Sequence, residues 1–219
     1  MSYVYRIIAL FCLGWAIIYA DRTALYPMLP VLGAELNLTA AQAGAIASAY
    51  FAAYAVAMPL SGFLGDRFGL KRVLVAMVLL AGLGLTGLAL LANNYELIIF
   101  FIALAGAGVG VFYPAAYSIA LYSAPAERRG FSAAVINSGM SVGLGLGLAA
   151  AGPLYLLTGT WRAPYLAMAV LTVGVALLFQ LGVRPIPPRP QSARATWKLI
   201  LNPTLLAMDV AAFCSLYGF

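Results

Sequence analysis

The chain has 219 residues, of which 64% are hydrophobic and only 8% are charged. No soluble fold can bury that much apolar surface, so the composition excludes a water-soluble domain and predicts an all-α membrane protein. The net charge of +6 does not require a nucleic-acid partner, because basic residues gather on one side of a membrane.

Six apolar runs are long enough to cross the hydrocarbon core, which takes about 18 or more residues as a helix. They cover residues 7–31, 40–64, 73–92, 96–122, 132–157 and 163–183. A seventh apolar run begins near Thr204, after a stretch rich in Pro and Arg. We therefore expect a six-helix transmembrane bundle over 1–183, a cytoplasmic interdomain linker over 184–203 and the truncated start of a seventh helix over 204–219.

The basic residues fix the orientation of the spans. If the N-terminus is cytoplasmic, every basic residue except Arg22 and Arg162 lies on the cytoplasmic side. Arg162 then faces outward and Arg22 lies within the first span. This asymmetry predicts a multi-pass protein with a cytoplasmic N-terminus, and we expect it in the cytoplasmic (inner) membrane of a prokaryote.

The first span contains two charged residues, Asp21 and Arg22. Charges inside a span are costly and usually face a bundle interior or a water-filled path. Tyr19, Arg22 and Tyr26 recur at helical spacing, with Trp15 one turn earlier, so they share one face. A guanidinium flanked by phenol hydroxyls and an indole N–H is suited to binding a carboxylate. The alternative is an interhelical salt bridge beside an interfacial aromatic belt.

The sequence also predicts how the first span ends and the second begins. Pro27 and Pro30 are expected to end or bend the first helix near the outer surface. Thr39 is in position to cap the second helix, on which Tyr50 and Tyr54 share a face.

A short charged turn, residues 62–72, joins the second and third spans. Asp66 is expected just past a helix end, where a carboxylate is disfavoured and needs a partner such as an Arg. Gly69 supplies the positive φ of a tight reversal, and Gly62 allows a neighbouring helix to approach closely. Three basic residues place this turn on the cytoplasmic side: Arg67, Lys71 and Arg72.

This pattern, Gly62-x-x-x-Asp66-Arg67-x-Gly69-x-Lys71-Arg72, resembles the signature loop of the major facilitator superfamily of transporters. The alternative, an ordinary positive-inside turn, explains the basic residues but not Asp66 together with both glycines. The resemblance implies that this loop acts in conformational switching. It also implies that the bundle is the N-terminal half of a twelve-helix carrier, built from inverted three-helix repeats and working by alternating access.

The fourth span carries a second pattern, Gly106-x-Gly108-x-Gly110 followed by Tyr113-Pro114. The glycines permit close packing, and Pro114 frees a carbonyl that neighbours or water must satisfy. Tyr26-Pro27 stands at a similar late position in the first span, which supports an inverted repeat.

Polar residues also begin the fifth span. Glu127 and Arg128 are on the same side as the 62–72 turn, where they either join it in a charge network or are solvated surface charges. Asn137 either contacts a substrate or ties helices together, and a glycine ladder is expected at positions 143, 145 and 147.

Several of these motifs resemble the anion:cation symporters of the superfamily: Tyr19-Ala20-Asp21-Arg22, Gly106-x-Gly108, Glu127-Arg128 and Asn137-Ser138-Gly139. By this resemblance Arg22 would hold the carboxylate of an organic anion or sugar acid, and Asp21 would take part in proton coupling. Tyr19, Tyr26, Tyr113 and Asn137 complete the expected substrate site. Members of that group often carry a Glu after the second glycine, where this chain has Val109, so coupling would fall to Asp21 or to the second half.

Two other functions are possible from the sequence. A drug or metabolite exporter of the same superfamily tends to carry Gly-Pro-x-x-Gly-Gly in the fifth span, and here Gly152-Pro153 lacks the second pair of glycines. A non-transporting scaffold or receptor would make Asp21 and Arg22 purely structural. An enzyme is disfavoured, since the chain has no His to act as a general base. We expect no cofactor; the expected partners are an anionic solute, a proton or other coupling ion, the lipid bilayer and the C-terminal half of the same transporter.

Overall fold

The computed structural model describes residues 3–186 together with residues 203, 204 and 207. The chain divides into two units, Met1–Pro188 and Arg189–Phe219, and nearly all described residues belong to the first. Most of the expected 184–203 linker and nearly all of the expected 204–219 helix lie outside the described residues, so both stay predictions.

Where the structure describes it, the first unit consists of α-helices and short connections. The helices are α1 (Tyr3–Glu35), α2 (Ala40–Phe68), α3 (Leu70–Leu91), α4 (Tyr95–Gly110), α5 (Phe112–Ser123), α6 (Arg129–Thr158) and α7 (Arg162–Gly182). A 3₁₀ turn, Ala126–Arg128, precedes α6. Because α4 and α5 together form one span, Tyr95–Ser123, the described residues contain six helical segments long and apolar enough to cross a membrane. This confirms the expected all-α membrane fold.

The prolines differ in their effect on the helices. Pro27 and Pro30 lie inside α1, which continues to Glu35, so of the two expected effects an end of the helix is excluded and a bend stays a prediction. In a membrane helix the backbone groups that a proline frees can be satisfied locally or by neighbours. Pro114 does break its helix, since α4 ends at Gly110 and α5 begins at Phe112. A proline ring clashes with the carbonyl four residues earlier, which here is that of Gly110.

The two ends of α2 are set by side-chain and backbone capping. The Thr39 hydroxyl accepts a hydrogen bond from the Gln42 amide at 3.2 Å, and the Gln42 side chain accepts one from the Thr39 amide at 2.9 Å, which confirms the predicted cap. The helix continues to Phe68 and stops at Gly69, where φ is 89°. Asp66 therefore lies in the last turn of α2, and the expectation that it follows the helix end is wrong.

The helices pack in a pattern that two repeats would produce. α1 packs mainly against α6, α2 against α4, and α3 against α4 and α7. Exchanging the first repeat (α1, α2 and α3) with the second (α4–α5, α6 and α7) replaces α1 by α4–α5 and α6 by α2. The α1–α6 contact of one repeat order therefore corresponds to the α2–α4 contact of the other. The packing therefore has the symmetry expected of inverted three-helix repeats.

Glycines allow the two main helix pairs to touch through their backbones. A Cβ added to any of three glycines on α6 would overlap a backbone carbonyl of α1: Gly139 on Cys12, Gly143 on Ala16 and Gly147 on Ala20. A Cβ added to Gly106 of α4 would likewise overlap the Tyr50 carbonyl of α2, and one added to Gly110 would overlap the Tyr54 carbonyl. Gly145, expected in the ladder, has no atom within 4 Å of a built Cβ among the described residues, because the ladder follows the four-residue period of the helix face.

Side-chain contacts hold the centre and the two ends of the bundle. Phe11, Phe112 and Phe179 form one ring cluster, with centroids 5.5–6.2 Å apart, where α1, α5 and α7 meet. At one end, the Arg162 guanidinium donates to the carbonyls of Ala89 at 3.0 Å and Ala92 at 2.8 Å, and so caps the last turn of α3. At the other end, the Arg184 amide donates to the Tyr3 hydroxyl at 2.9 Å, which brings the beginning of α1 and the end of α7 together.

Candidate functional site

Arg22 lies within α1 and is partly buried. Its guanidinium carbon is 4.5 Å from the ring centroid of Phe51 in α2 and 5.2 Å from that of Tyr19. Among the described residues no carboxylate oxygen lies within 4.0 Å of it and no hydrogen bond engages it. The interhelical salt bridge that the sequence left open is therefore not formed, and ring faces support the charge while its five N–H donors are left for another partner.

Aromatic rings connect Arg22 to the break between α4 and α5. Tyr19 packs edge-on against Trp15, with centroids 4.8 Å apart. Trp15 in turn stacks on Tyr113 of α5 at 5.9 Å. Tyr113 remains 42% exposed, so its ring lines an open surface of the unit rather than the core. The structure thus brings three of the predicted substrate-site residues to one face: Tyr19, Arg22 and Tyr113.

A polar pair extends this face onto α6. The Tyr117 ring lies 4.5 Å from that of Tyr113, one helical turn away on α5. Its hydroxyl donates to the side-chain carbonyl of Asn137 at 3.3 Å. Asn137 therefore does tie two helices together, and its amide NH₂ group is left without a hydrogen-bond partner among the described residues.

One further residue, Tyr26, was predicted for this face. Two others, Tyr117 and Phe51, were not identified from the sequence. Tyr26 is 48% exposed and one turn beyond Arg22 on α1, with no contact to the other rings among the described residues, so its membership stays a prediction. Tyr117 could have been found from its four-residue spacing to Tyr113. Phe51 carries no such signal, since its contact with Arg22 joins two different helices.

Asp21 faces a different part of the bundle from Arg22. It is only 5% exposed, and its Oδ2 accepts a 2.5 Å hydrogen bond from the Thr172 hydroxyl of α7. Its Oδ1 is buried and has no hydrogen-bond partner in the part of the chain that the structure describes. Asp21 and Arg22 thus have separate neighbours on α7 and α2, as expected of adjacent helical residues.

The 62–72 turn fulfils part of its expected geometry. Gly69 has the predicted positive φ of 89°. The Arg67 guanidinium lies over the Phe68 ring at 5.3 Å, while Asp66 is exposed and has no basic nitrogen within 4.0 Å among the described residues. A Cβ built on Gly62 meets no described atom within 4 Å, so the expected close helix contact does not occur within this unit. Lys71 and Arg72 begin α3 instead of lying in the turn.

The loop that contains Glu127 and Arg128 has another partner than the charge network considered from the sequence. Arg128 donates to the Tyr5 hydroxyl at 2.6 Å and lies 5.8 Å from the centroid of its ring. Glu127 is exposed in the 3₁₀ turn. Within the described residues no ion pair joins these two residues to Asp66 or Arg67. The loop is therefore tied to the beginning of α1.

Comparison with known proteins gives one family and several transporters. The family model for the Major Facilitator Superfamily matches residues 11–219. The chain is 28% identical over 188 residues to the "Probable sulfoacetate transporter SauU" of Cupriavidus necator, covering 84% of this chain and 43% of the relative. It is 26% identical over 207 residues to "Protein spinster homolog 1" of Homo sapiens, covering 94% and 39%.

A solved structure gives the same result for the fold. The proton:xylose symporter XylE, bound to 6-bromo-6-deoxy-D-glucose, superposes with a TM-score of 0.74 at 17% identity, over 85% of this chain and 45% of the symporter. The chain thus spans about two fifths of the length of the two curated relatives and a little under half of the solved one.

Proposed function

This chain belongs to the major facilitator superfamily, and we propose that it forms the N-terminal half of a secondary active transporter that moves a small organic anion by alternating access. The family consists of transporters, not enzymes, and the chain is an integral, multi-pass membrane protein. An inner-membrane location, a cytoplasmic N-terminus and a C-terminal half that closes the site are parts of the proposal.

The observation that carries the proposal is the state of Arg22. A guanidinium inside a span is expensive to insert, and it usually has an acidic or carbonyl partner or lines a water-filled path. Arg22 is held by the rings of Tyr19 and Phe51, with no acidic partner among the described residues. An anionic solute would supply the hydrogen-bond acceptors that the protein does not, with the bidentate geometry that Arg favours.

The surrounding side chains support a solute that is anionic at one end and polar at the other. Phenol hydroxyls and the Asn137 amide line the face beside Arg22, and hydroxyl-bearing solutes such as sugar acids would hydrogen-bond to them. Arg22 is the only Lys or Arg in the interior of a described span, so this half offers one anion-binding group. The relative from Cupriavidus necator is named for sulfoacetate, a small organic anion, which agrees with this class.

Proton coupling through Asp21 is the second part of the proposal. The carboxyl is buried and belongs to the residue next to Arg22 on α1, although its side chain faces α7, so a change of charge at Arg22 would reach it through the low-dielectric interior and not by contact. An anion bound at Arg22 would cancel part of the positive charge and favour protonation of Asp21. Binding of the anion and of the proton would then support each other, which is the requirement for symport.

The experiment uses the complete transporter, meaning this chain together with its proposed C-terminal half, reconstituted in liposomes. Uptake of sulfoacetate and of sugar acids is measured for the wild type, Arg22→Ala and Arg22→Lys. We expect Arg22→Ala to weaken apparent affinity by about 10- to 100-fold, as loss of a charge-assisted bidentate pair would, and Arg22→Lys to recover only part of it.

Arg6→Ala is the matched control, because it removes a guanidinium from the exposed beginning of the same helix. It should transport like the wild type. Wild-type affinity in Arg22→Ala would exclude Arg22 from the site. Absence of any anion uptake by the wild type, with proton-driven export of other solutes, would instead favour the exporter.

A further inference from the structure

Thr172 is a buried threonine in the middle of an otherwise apolar stretch of α7. It is 0% exposed, and its hydroxyl donates to Asp21 Oδ2 at 2.5 Å. The two residues are 151 positions apart in the chain, so this contact joins the first and last helices of the unit. A hydroxyl placed there has Asp21 as its one hydrogen-bond partner among the described residues.

Other helical threonines of the bundle use their hydroxyls differently. Thr86 donates to the Gly82 carbonyl at 2.8 Å and Thr158 to the Leu154 carbonyl at 2.6 Å, each four residues earlier in its own helix. This is the common arrangement for a threonine in a helix. Thr172 instead directs its hydroxyl to the carboxyl group of another helix, which points to a role connected with Asp21.

We propose that Thr172 is a positioning residue for the coupling proton: its hydroxyl holds the Asp21 carboxyl in the bundle interior and sets how readily that group binds and releases a proton. The proposal rests on the proposed function of Asp21 and identifies the residue that tunes it. The proton comes from water on one side of the membrane and returns to water on the other, and no other bond forms or breaks.

A hydroxyl suits this task because it serves both protonation states. When Asp21 is ionised, Thr172 can donate to Oδ2 across the contact between their oxygens. When Asp21 is protonated, its O–H can donate to the Thr172 oxygen, and the hydroxyl proton can turn to the carbonyl of Met168, four residues earlier. A side chain that only accepts or only donates could not stabilise both states.

Ionisable residues on α1 and on the helices packed against it could also affect the titration of Asp21. On α1 and α2, Tyr50 lies close enough to interact electrostatically with Asp21, and Tyr19, Arg22 and Tyr54 act on the same Tyr50 hydroxyl. The other packed helices contribute Tyr113 and Tyr117 on α5, Arg129 and Tyr155 on α6, and Arg162 and Tyr165 on α7. Among the described residues none of these ionisable groups is hydrogen-bonded to the Asp21 carboxyl, and the Thr172 hydroxyl is its one hydrogen-bond partner.

The test is the pH dependence of transport by the complete transporter in liposomes. Thr172→Val keeps the shape of the side chain and removes the hydroxyl, so the ionised carboxylate loses its donor. We expect the pH of half-maximal transport to rise by about one to two units, the equivalent of one hydrogen bond to a charged group. Thr172→Ser should restore the wild-type profile, and the control Thr86→Val should leave it unchanged.

A second measurement does not depend on finding the substrate. Infrared difference spectra of the purified transporter, recorded during a pH titration, follow the carboxylic C=O band that Asp21→Asn abolishes. Thr172→Val should shift that band to higher frequency and move its titration midpoint upward, while Thr172→Ser should not. An unchanged band and an unchanged midpoint in Thr172→Val would overturn the proposal, even if the anion transport proposed above were confirmed.

The transport results separate the two proposals in the same way. If no anion drives transport in the wild type, the proposed function fails, and the infrared result alone decides the role of Thr172. If anions are transported and Thr172→Val loses rate equally at every pH, the residue is merely structural and the inference is wrong.

Discussion

A guanidinium in a membrane span needs something to stabilise its charge when no solute is bound. In this chain the faces of two rings serve that purpose, with Phe51 at 4.5 Å and Tyr19 at 5.2 Å from the guanidinium carbon. A ring face stabilises the cation without occupying its N–H donors. An Arg held in this way is ready to bind an acceptor-bearing solute and need not first break a salt bridge.

Removing the Phe51 ring, which is the closer of the two rings to the guanidinium, tests this arrangement. Phe51→Ala should weaken anion affinity by several-fold, because a cation–π contact is worth about 0.5–2 kcal/mol and its loss frees the guanidinium to move. Phe51→Tyr should keep most of the affinity. Phe100→Ala, at an exposed position on α4, is the control. The measurement is anion binding to the purified transporter, and wild-type affinity in Phe51→Ala would show that the ring does not position Arg22.

The buried carboxyl of Asp21 gives a second prediction. Asp21→Asn cannot ionise, so a pH gradient should no longer concentrate the anion, while exchange of anion for anion across the liposome membrane should continue. Proton-driven uptake and counterflow measured on the same preparation separate these two activities. Proton-driven accumulation by Asp21→Asn would place coupling elsewhere, for instance in the C-terminal half.

At the scale of elements, the α1–α6 contact decides where the site residues stand. The glycines at 139, 143 and 147 let the α1 backbone approach α6, and Asn137 lies on α6 just before the first of them. A side chain at Gly143 would overlap the Ala16 carbonyl and push the helices apart. The geometry of the candidate site therefore depends on small residues that pack between α1 and α6.

Two substitutions of the same kind measure this dependence. Gly143→Val should destabilise the protein by about 1–3 kcal/mol, as overpacking of a close contact does. Gly145→Val, two positions from Gly143 and off the contact face, has no described atom within 4 Å of its built Cβ and should change stability by less than about 0.5 kcal/mol. Thermal unfolding in detergent compares the two variants. Equal stability would mean that the α1–α6 backbone contact is not tight in the membrane protein.

The elements also show which features can be predicted from one sequence. Apolar length predicts the six spans, and the Thr39–Gln42 cap follows from a local pattern. The effect of each proline was not predictable, because Pro27 and Pro30 are accommodated inside α1 while Pro114 interrupts its span. Whether a freed carbonyl finds a partner depends on helices that are distant in sequence.

The candidate site also contains residues that the sequence identifies and residues that only tertiary contacts reveal. Arg22 and Asp21 are identifiable because charges in apolar runs are rare, and Tyr19 and Tyr113 because aromatic residues recur or precede a proline. Phe51 and Thr172 give no signal, since an apolar helix contains many such residues. Only the tertiary contacts, 4.5 Å to Arg22 and 2.5 Å to Asp21, distinguish them.

For the whole molecule, the proposed alternating access requires loops at one end of the bundle that can change partners. Asp66 and Arg67 are exposed at the end of α2, and Asp66 has no basic partner within 4.0 Å among the described residues. Gly62 likewise has open space where a helix could approach. These residues are thus available to the proposed C-terminal half, and their position at the end of α2 agrees with the proposed role in switching rather than binding.

Asp66→Asn separates switching from binding. It should lower the maximal rate of transport while the apparent affinity for the anion stays the same, because it changes the interface that rearranges and leaves the cavity intact. Initial uptake rates over a range of anion concentrations give both quantities. A large change in affinity at an unaltered maximal rate would contradict the assignment.

The central claim is that an organic anion reaches the Arg22 face from both sides of the membrane in turn. The most direct measurement labels Tyr113→Cys with a membrane-impermeant thiol reagent, in the complete transporter with its native cysteines replaced. We predict labelling from either side, protection by the transported anion, and loss of that protection when Arg22→Ala is added. Labelling from one side only, or anion protection that persists in Arg22→Ala, would contradict the claim.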